Sequence, residues 1–217
     1  MKRIKNIFCF ALFGLLFFSC ENESFNNTII DNFDHKAQIK IDQDSLRVYL
    51  SSHYLSEGGE LMSISDETEQ SVTPLIDDTR LDSIEGIVIS GVDTTYTMYY
   101  LKTVENNLNN PQPSSLDVVF VNYEGMLLDD TVFDSNLTYP LWFSMSSVVK
   151  GWSYGLQKFK GGNLVEDSDD DFHFENLEKG YLFFPSGLGY RNASSTLIPS
   201  NSPLVFYIEL YTVNIVR

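Results

Sequence analysis

The segment Asp117-Val118-Val119-Phe120-Val121-Asn122-Tyr123-Glu124-Gly125 is a run of β-branched and aromatic residues, which is typical of a β-strand. A second run of this kind, Leu204–Val213, lies near the end of the chain. Between the two runs the sequence contains one clear helix candidate, Val148–Lys158. One helix combined with mostly antiparallel strands predicts an α+β fold.

Residues 37–94 have a different pattern and are interpreted as an extension packed on a domain that begins near residue 95. Apolar and aromatic side chains recur at spacings of three and four, which predicts a short helix with Asp42 or Asp44 as its N-cap and Gly58-Gly59 after its end. These side chains are Leu46, Tyr49, Leu50, His53 and Tyr54. Two β-rich pieces follow, Gly86–Ser90 and Thr95–Val104, and the second alternates well enough to predict a strand.

The N-terminus has the features of a secretory signal peptide over residues 1–19. A charged start is followed by an apolar run from Ile7 to Phe18, about a dozen residues, whereas a membrane-spanning helix needs about 20. Leu16-Phe17-Phe18-Ser19-Cys20 resembles a bacterial lipobox, in which the cysteine is acylated. We expect lipidation of Cys20 and anchoring to a cell-envelope membrane, at its periplasmic face or on the cell surface. The alternative is a soluble secreted protein with an ordinary cleavage site.

After Cys20 the sequence is polar and rich in Asn and Ser, which predicts a flexible tether over residues 20–36. The only cysteines are Cys9 and Cys20, so the folded part can form no internal disulfide. The chain has 14 basic and 30 acidic residues and a formal charge of −16. This balance argues against nucleic-acid binding, which needs a basic surface. The sequence contains no phosphate-binding loop, nucleophile elbow or dinucleotide fingerprint, so we expect no cofactor.

Five short motifs occur in order between Thr95 and Val213. They are Val121-Asn122-Tyr123-Glu124-Gly125-Met126-Leu127, Thr131-Val132-Phe133-Asp134-Ser135, Val148-Val149-Lys150-Gly151-Trp152, Pro185-Ser186-Gly187-Leu188-Gly189-Tyr190, and Ile198-Pro199-Ser200-Asn201-Ser202-Pro203-Leu204-Val205-Phe206. Together they resemble the motifs of the FKBP-type peptidyl-prolyl cis/trans isomerases, over a little more than half of the chain. The resemblance implies an antiparallel β-sheet wrapped on one short helix over residues 95–217.

The resemblance also implies a non-covalent isomerase that acts on proline-containing segments, and it assigns the site. Trp152 would form the floor of an apolar pocket, and the Val149 N–H and the Tyr190 hydroxyl would donate to the substrate carbonyl or its neighbour. Asp134 would point a carboxylate towards the pocket. The walls and fillers would be Tyr123, Phe133, Phe206, Val148 and Ile198. The alternative for each aromatic residue taken alone is packing in the core.

Two positions depart from the family pattern. The family often has a second aromatic wall after a proline, but here Pro140 is followed by Leu141, which predicts a thinner wall at that point of the substrate pocket. Tyr190 is usually followed by glycine, and Arg191 would be strained if that position needs a positive φ. We therefore expect a rebuilt loop from Arg191 to Leu197, which bears on substrate preference and macrolide binding more than on catalysis.

Between Gly162 and Tyr181 lies an acidic insertion. Its residues Asp167, Asp169, Asp171 and Glu178 fall at ligand positions of an EF-hand loop, which makes them a weak candidate calcium site. Phe172 occupies the position where an EF-hand needs glycine, so a solvated acidic loop is the favoured alternative. His35, His53 and His173 are scattered without zinc-like spacing and are interpreted as surface or helix-face residues.

The sequence therefore predicts a prolyl isomerase that assists the folding of exported proteins. The first alternative is an FKBP-fold chaperone or binding module with little turnover, in which residues 37–94 provide the grip. A calcium-dependent interaction protein is a second alternative. Residues 37–94 could also dimerise, which would make the protein a homodimer.

Overall fold

One antiparallel sheet of six strands is the frame on which the rest of the chain packs. The computed structural model describes residues 34–65, 71–166 and 172–216. The helices are α1 (His35–Ser52) and α2 (Lys150–Gly155), and the strands are β1 (His53–Leu55), β2 (Leu61–Ser63), β3 (Leu81–Val88), β4 (Thr95–Val104), β5 (Val118–Met126), β6 (Val132–Ser144), β7 (Asn163–Glu166), β8 (Phe172–Glu175), β9 (Glu178–Phe184) and β10 (Leu204–Asn214). The main sheet has the order β3-β4-β9-β10-β5-β6, and β1-β2 and β7-β8 form two small hairpins. The predicted α+β fold is confirmed.

The strands predicted around the motifs match the structure closely. β4 has the predicted limits, and β5 and β10 differ from the predicted strands by single residues. The helix predicted over Val148–Lys158 is α2 followed by a 3₁₀ turn, Leu156–Lys158. α2 begins two residues later than predicted because Val149 is its N-cap and has an extended conformation, with φ −58° and ψ 151°.

The prediction for the start and end of α1 was wrong. The N-cap is Asp34, whose side chain accepts a hydrogen bond from the Ala37 N–H at 3.0 Å. His35 and Lys36, which were assigned to the tether, therefore lie in the helix. α1 ends at Ser52, because His53 is already extended and begins β1, well before Gly58-Gly59. The predicted signal peptide, Cys20 and the tether up to residue 33 lie outside the described residues.

The two faces of the sheet carry two separate apolar clusters, because successive residues of a strand point to opposite faces. Leu182 and Phe184 belong to the cluster that includes Trp152 and Leu156 next to α2. Tyr181 and Phe183 belong to the cluster that includes Leu46 and Leu50 of α1. α1 therefore covers one face of the sheet and α2 the other.

The extension is built into the same unit as the rest of the described chain. β3 hydrogen bonds to β4 as an edge strand of the main sheet. The described residues from Asp34 onwards form one compact unit. No helix within the described ranges has the length and apolar character needed to cross a membrane.

His53 was interpreted as a surface or helix-face residue, and the surface alternative is wrong, because only 7% of its surface is exposed. Its ring stacks on Tyr49 at a centroid distance of 3.8 Å, and its Nε2 lies 3.2 Å from Asp130 Oδ2. The Tyr49 hydroxyl and the Ser63 hydroxyl also donate to Asp130, at 2.7 and 3.2 Å. Asp130 follows β5, so this cluster attaches the extension to the β5–β6 turn.

The attachment is expected to weaken in acid. Burial alone would raise the pKa of Asp130, but the hydrogen bonds from Tyr49, His53 and Ser63 outweigh it and hold that pKa below its ordinary value. A lowered pKa in the folded state adds stability above the unfolded-state pKa of about 3.9, and this stability is lost as the pH falls through the folded-state pKa. We expect Asp130→Asn to be less stable than wild type at pH 6, with the difference shrinking below about pH 4.

Urea unfolding of both proteins between pH 6 and pH 3 checks this. Asn is the appropriate replacement because residue 130 has a φ of 63°, which Asn tolerates better than most residues. Comparison with wild type cancels the contributions of other carboxylates. A stability difference that stays constant across this pH range would contradict the assignment.

Candidate active site

Trp152 lies at the base of a cavity of about 240 Å³ beside α2. Its indole ring makes edge-to-face contacts with Tyr123, Phe143 and Phe206 at centroid distances of 5.2, 5.4 and 5.3 Å. Edge-to-face pairs at this separation are favourable, so the four aromatic rings hold one another in place. The indole N–H is buried and has no hydrogen-bond acceptor among the described residues.

α2 can lie this close to the sheet because residue 151 is glycine. A Cβ at Gly151 would lie 2.4 Å from the Phe184 ring, closer than any side chain allows. Phe184 in turn stacks on Phe206, with centroids 5.7 Å apart and planes inclined by 7°. Gly151 therefore sets the depth at which the neighbouring Trp152 enters the core.

One side of the cavity combines a phenol with a carboxylate. The Tyr123 hydroxyl donates to Asp134 Oδ2 at 2.8 Å, across the β5–β6 pair. Burial and this hydrogen bond raise the pKa of Tyr123 above its ordinary value. Burial and the charge of Asp134 likewise raise the pKa of Tyr190, which also lines the cavity. Both hydroxyls therefore stay protonated at neutral pH and can act as donors.

The structure brings most of the predicted site residues together around this cavity. They are Tyr123, Asp134, Val148, Val149, Trp152, Tyr190 and Phe206. Phe133 does not line it but packs edge-to-face on Phe206 at 5.5 Å, behind the wall. Ile198 packs against the main core and is also outside the lining.

Leu141 does not line the cavity either, and 46% of its surface is exposed. The second aromatic wall is supplied instead by Phe143, two residues further along β6, which contacts Tyr123 at a centroid distance of 5.7 Å. Strand alternation places residues 141 and 143 on the same face, and this signal could have identified Phe143 from the sequence. Ser147 is a second lining residue that the motifs did not indicate.

Phe133 and Phe206 can pack over β5 because the residue between them is Gly125. A Cβ at this position would lie 2.6 Å from Phe133 and 2.7 Å from Phe206. The glycine in the motif that begins at Val121 is therefore required by the two rings. The absence of a side chain at Gly125 lets Phe133 pack against Phe206.

Arg191 has a φ of 57°, as the missing glycine after Tyr190 suggested. A non-glycine residue in this region costs about 1 kcal/mol or slightly more. We expect Arg191→Gly to keep the fold and to change the free energy of unfolding by less than about 1 kcal/mol, because relief of strain offsets the greater entropy of the unfolded glycine. Arg191→Val, which is β-branched, should destabilise by more than about 1 kcal/mol. Equal stability of the two variants in thermal or urea unfolding would contradict this account.

The acidic insertion does not have the geometry of an EF-hand. Its described parts are the strands β7 and β8, which pair with each other, whereas an EF-hand loop lies between helices. Glu178 is fully buried, accepts from the Asn106 and Lys160 N–H groups at 3.3 and 2.9 Å, and pairs with Lys102 at 3.0 Å. Glu178 was therefore wrongly included in the candidate calcium site; Asp167, Asp169 and Asp171 lie outside the described residues.

No cluster of three or more metal-ligating side chains occurs in the parts of the chain that the structure describes. His173 lies on the exposed hairpin strand β8, 3.0 Å from Glu175. The three histidines therefore form no shared site, since His53 lies in the Asp130 cluster and His35 lies at the start of α1.

Known proteins resemble the part of the chain that carries much of the cavity. The family model described as FKBP-type peptidyl-prolyl cis-trans isomerase matches residues 110–168, which include β5, β6 and α2. The FKBP-type peptidyl-prolyl cis-trans isomerase FkpA of Escherichia coli K12 is 34% identical over 125 residues, covering 57% of this chain and 40% of that protein. The peptidyl-prolyl cis-trans isomerase Mip of Coxiella burnetii is 31% identical over 124 residues, covering 52% of this chain and 47% of that protein.

A crystal structure of a peptidyl-prolyl cis-trans isomerase from Pseudomonas syringae aligns with 83% of this chain and 96% of its own, at 22% identity and a TM-score of 0.49. This chain spans less than half the length of each of the two curated relatives. The family model covers β5, β6 and α2, which carry Tyr123, Phe143 and Trp152, and it ends before Tyr190 and Phe206. Over this region the chain is similar to FKBP-type peptidyl-prolyl cis-trans isomerases.

Proposed function

We propose that this protein catalyses the cis/trans isomerisation of Xaa-Pro peptide bonds in exported proteins. The observation that carries the proposal is the cavity of about 240 Å³ with Trp152 at its base and aromatic rings around it. Rotation about the peptide bond must cross a barrier of ~18–20 kcal/mol, which comes from the double-bond character of the C–N bond. Catalysis therefore needs stabilisation of the twisted amide and no covalent chemistry.

An apolar cavity favours the twisted amide for a physical reason. The planar amide has a large charge separation and is solvated well by water, whereas the twisted amide has lost resonance and part of that charge separation. Transfer from water to an aromatic surface therefore costs the planar ground state more than the transition state. Trp152, Phe143 and Phe206 provide this surface.

Hydrogen-bond donors around the cavity would orient the substrate. The Val149 N–H and the Tyr190 hydroxyl are assigned as donors to the substrate carbonyl or its neighbour. Tyr123 is held by Asp134 and forms a fixed wall. Val148 also contacts the substrate in this proposal, while Phe133 and Ile198 support the wall and the adjoining loop. No cofactor is needed for any of these roles.

The experiment that tests the proposal is the cis-to-trans rate of a short Leu-Pro or Phe-Pro peptide, measured by NMR exchange with the purified protein. Acceleration in proportion to protein concentration is the expected result. A folded protein that binds the peptide without accelerating the exchange would instead be a binding module. The substrates in this proposal are proline-containing segments of exported proteins.

We further propose that residues 1–19 are removed as a signal peptide, that Cys20 is acylated, and that residues 20–34 link the lipid to the folded part in the cell envelope. The support is the charged start, the short apolar run and the lipobox-like sequence that ends at Cys20. Labelling of growing cells with a fatty-acid analogue should tag the wild type and not Cys20→Ala. Equal labelling of the two proteins would rule out acylation at this cysteine.

In this proposal residues 37–94 remain an extension of the isomerase domain over 95–217, and their exposed surface is where two copies would meet in a homodimer. Sedimentation equilibrium of the purified protein distinguishes a monomer from a dimer. The measurement should be made without detergent and on protein lacking the lipid, so that anchoring does not obscure the mass.

A further inference from the structure

α1 makes one buried polar contact with the turn that follows β9. Asp42 is 1% exposed, and its Oδ2 accepts hydrogen bonds from the Ser186 N–H at 2.8 Å and the Ser186 hydroxyl at 2.6 Å. Its Oδ1 accepts from Gln38 Nε2 at 2.6 Å. Burial of a carboxylate is costly unless such partners satisfy it. Asp42 is the acceptor for both Ser186 donors, so its replacement by an apolar residue would leave these two donors buried without an acceptor.

Ser186 in turn determines the path of the chain at Tyr190. Its carbonyl accepts hydrogen bonds from the Gly189 and Arg191 N–H groups, at 2.9 and 2.8 Å. These two bonds enclose Tyr190, whose side chain lines the aromatic cavity. The Arg191 carbonyl then accepts from the Asn201 N–H at 2.8 Å, which closes the loop between residues 191 and 201.

The same turn is held on a second side by the sheet. A Cβ at Gly187 would lie 2.2 Å from the Tyr96 ring, so the turn lies directly against this β4 side chain. α1 itself is held to β4 through Gln43, whose Nε2 donates to the Thr97 carbonyl at 2.7 Å. The turn that carries Tyr190 is therefore enclosed between α1 and β4, and Asp42 is its polar contact with α1.

We propose that Asp42 is a positioning residue of the isomerase site, which acts through Ser186 to hold Tyr190 at the cavity. The proposal rests on the isomerase function proposed above and extends the machinery beyond the region that matches the family model, which begins at residue 110. In this proposal α1 contributes to the isomerase site, because it carries the residue that positions Tyr190. Asp42 itself touches no substrate.

The test is a double-mutant cycle between Asp42 and Tyr190, because a residue that acts through Tyr190 has little left to affect once the Tyr190 hydroxyl is gone. Asp42→Ala is expected to lower kcat/KM for the Leu-Pro peptide about fivefold, the effect of misplacing one hydrogen-bond donor. In the Tyr190→Phe background the same change should cost less than about twofold. Asp42→Asn, which keeps an oxygen towards Ser186, should recover most of the activity.

Asp44→Ala is the matched control. Asp44 lies on the same helix, but its side chain is 68% exposed and pairs with Lys40 at 3.7 Å. This variant should keep wild-type activity. Ser186→Ala is a milder second variant, since it removes the hydroxyl donor and keeps the backbone bond to Asp42, and it should show a smaller loss with the same dependence on Tyr190. It replaces Asp42→Ala in the cycle if that variant does not fold.

A second readout does not depend on activity. In protein labelled with fluorotyrosine, the Tyr190 resonance is the one missing from Tyr190→Phe, and it should shift in the Asp42 or Ser186 variant but not in Asp44→Ala. The positioning role would be overturned by a Tyr190 resonance that does not shift in these variants. It would also be overturned if Asp42→Ala lost as much activity in the Tyr190→Phe background as in the wild type. If the wild type has no isomerase activity but the resonance shifts, the positioning role stands and the proposed function fails.

Discussion

Replacement of Trp152 by alanine is expected to lower kcat/KM for a Leu-Pro peptide by about two orders of magnitude, equal to ~2.7 kcal/mol of transition-state stabilisation. The indole forms the base of the cavity and contacts the rings of Tyr123, Phe143 and Phe206. Its removal takes away the apolar surface on which the substrate's prolyl ring would lie in the proposed function, and it lets the three rings move into the space. The measurement is NMR exchange of the peptide at equal concentrations of folded protein.

Stability must be separated from activity in this experiment. A Trp→Ala change in a core usually costs about 3–5 kcal/mol of unfolding free energy. Trp152→Leu fills more of the space and is the second variant; it should lose less stability and still lose at least about tenfold in kcat/KM. Near-ultraviolet circular dichroism shows whether each variant keeps its aromatic packing.

The chain offers a matched control in its only other tryptophan, Trp142. Trp142 is 53% exposed and stacks on Phe120 at 4.6 Å, outside the residues that line the cavity. Trp142→Ala should keep wild-type activity. In Trp142→Phe, Trp152 is the only tryptophan, so its fluorescence should change on titration with a proline peptide. Retention of half the wild-type activity by folded Trp152→Ala would refute the assigned role.

The strands and the central residues of the site were predictable because each lies within a short sequence motif. β5 and β10 are runs of β-branched and aromatic residues, and Trp152 and Tyr190 lie in motifs that resemble those of the FKBP-type isomerases. Arg191 was predictable as well, since the requirement for a positive φ is a property of one position. The strands follow from local composition, whereas the roles of Trp152 and Tyr190 and the expectation for Arg191 were implied by the resemblance to the family.

The features that were not predicted depend on partners far along the chain. Asp42 was interpreted as a helix cap because an acidic residue near the start of an apolar pattern is typical of one. Its actual partner, Ser186, is 144 positions away. His53 is buried because Asp130, 77 positions away, provides a charged partner. Tertiary contacts determine the burial of such polar groups, and no local pattern reports them.

Phe143 shows an intermediate case. The family pattern drew attention to the residue after Pro140, which is Leu141, although the period of two along a strand allows the ring two residues later to face the same side. β6 is an edge strand of the sheet, so Leu141 is left exposed while Phe143 contacts Trp152. The wall expected to be thinner is therefore rebuilt from a neighbouring position.

Gly180→Ala is expected to destabilise the protein by about 3 kcal/mol or more, because a Cβ at this position has no space. It would lie 2.1 Å from the Leu101 carbonyl oxygen and 2.9 Å from the Lys102 Cα, and both are backbone atoms. β9 cannot move away, since it is hydrogen bonded to β4 on one side and to β10 on the other. The loss should appear as a lower urea midpoint and a smaller yield of soluble protein.

Gly58→Ala is the matched control, because its Cβ would meet only the Ser56 hydroxyl oxygen at 3.7 Å, and it should change the free energy of unfolding by less than about 0.5 kcal/mol. Equal urea midpoints for the two variants would show that the close approach of β4 to β9 is not what requires a glycine at residue 180.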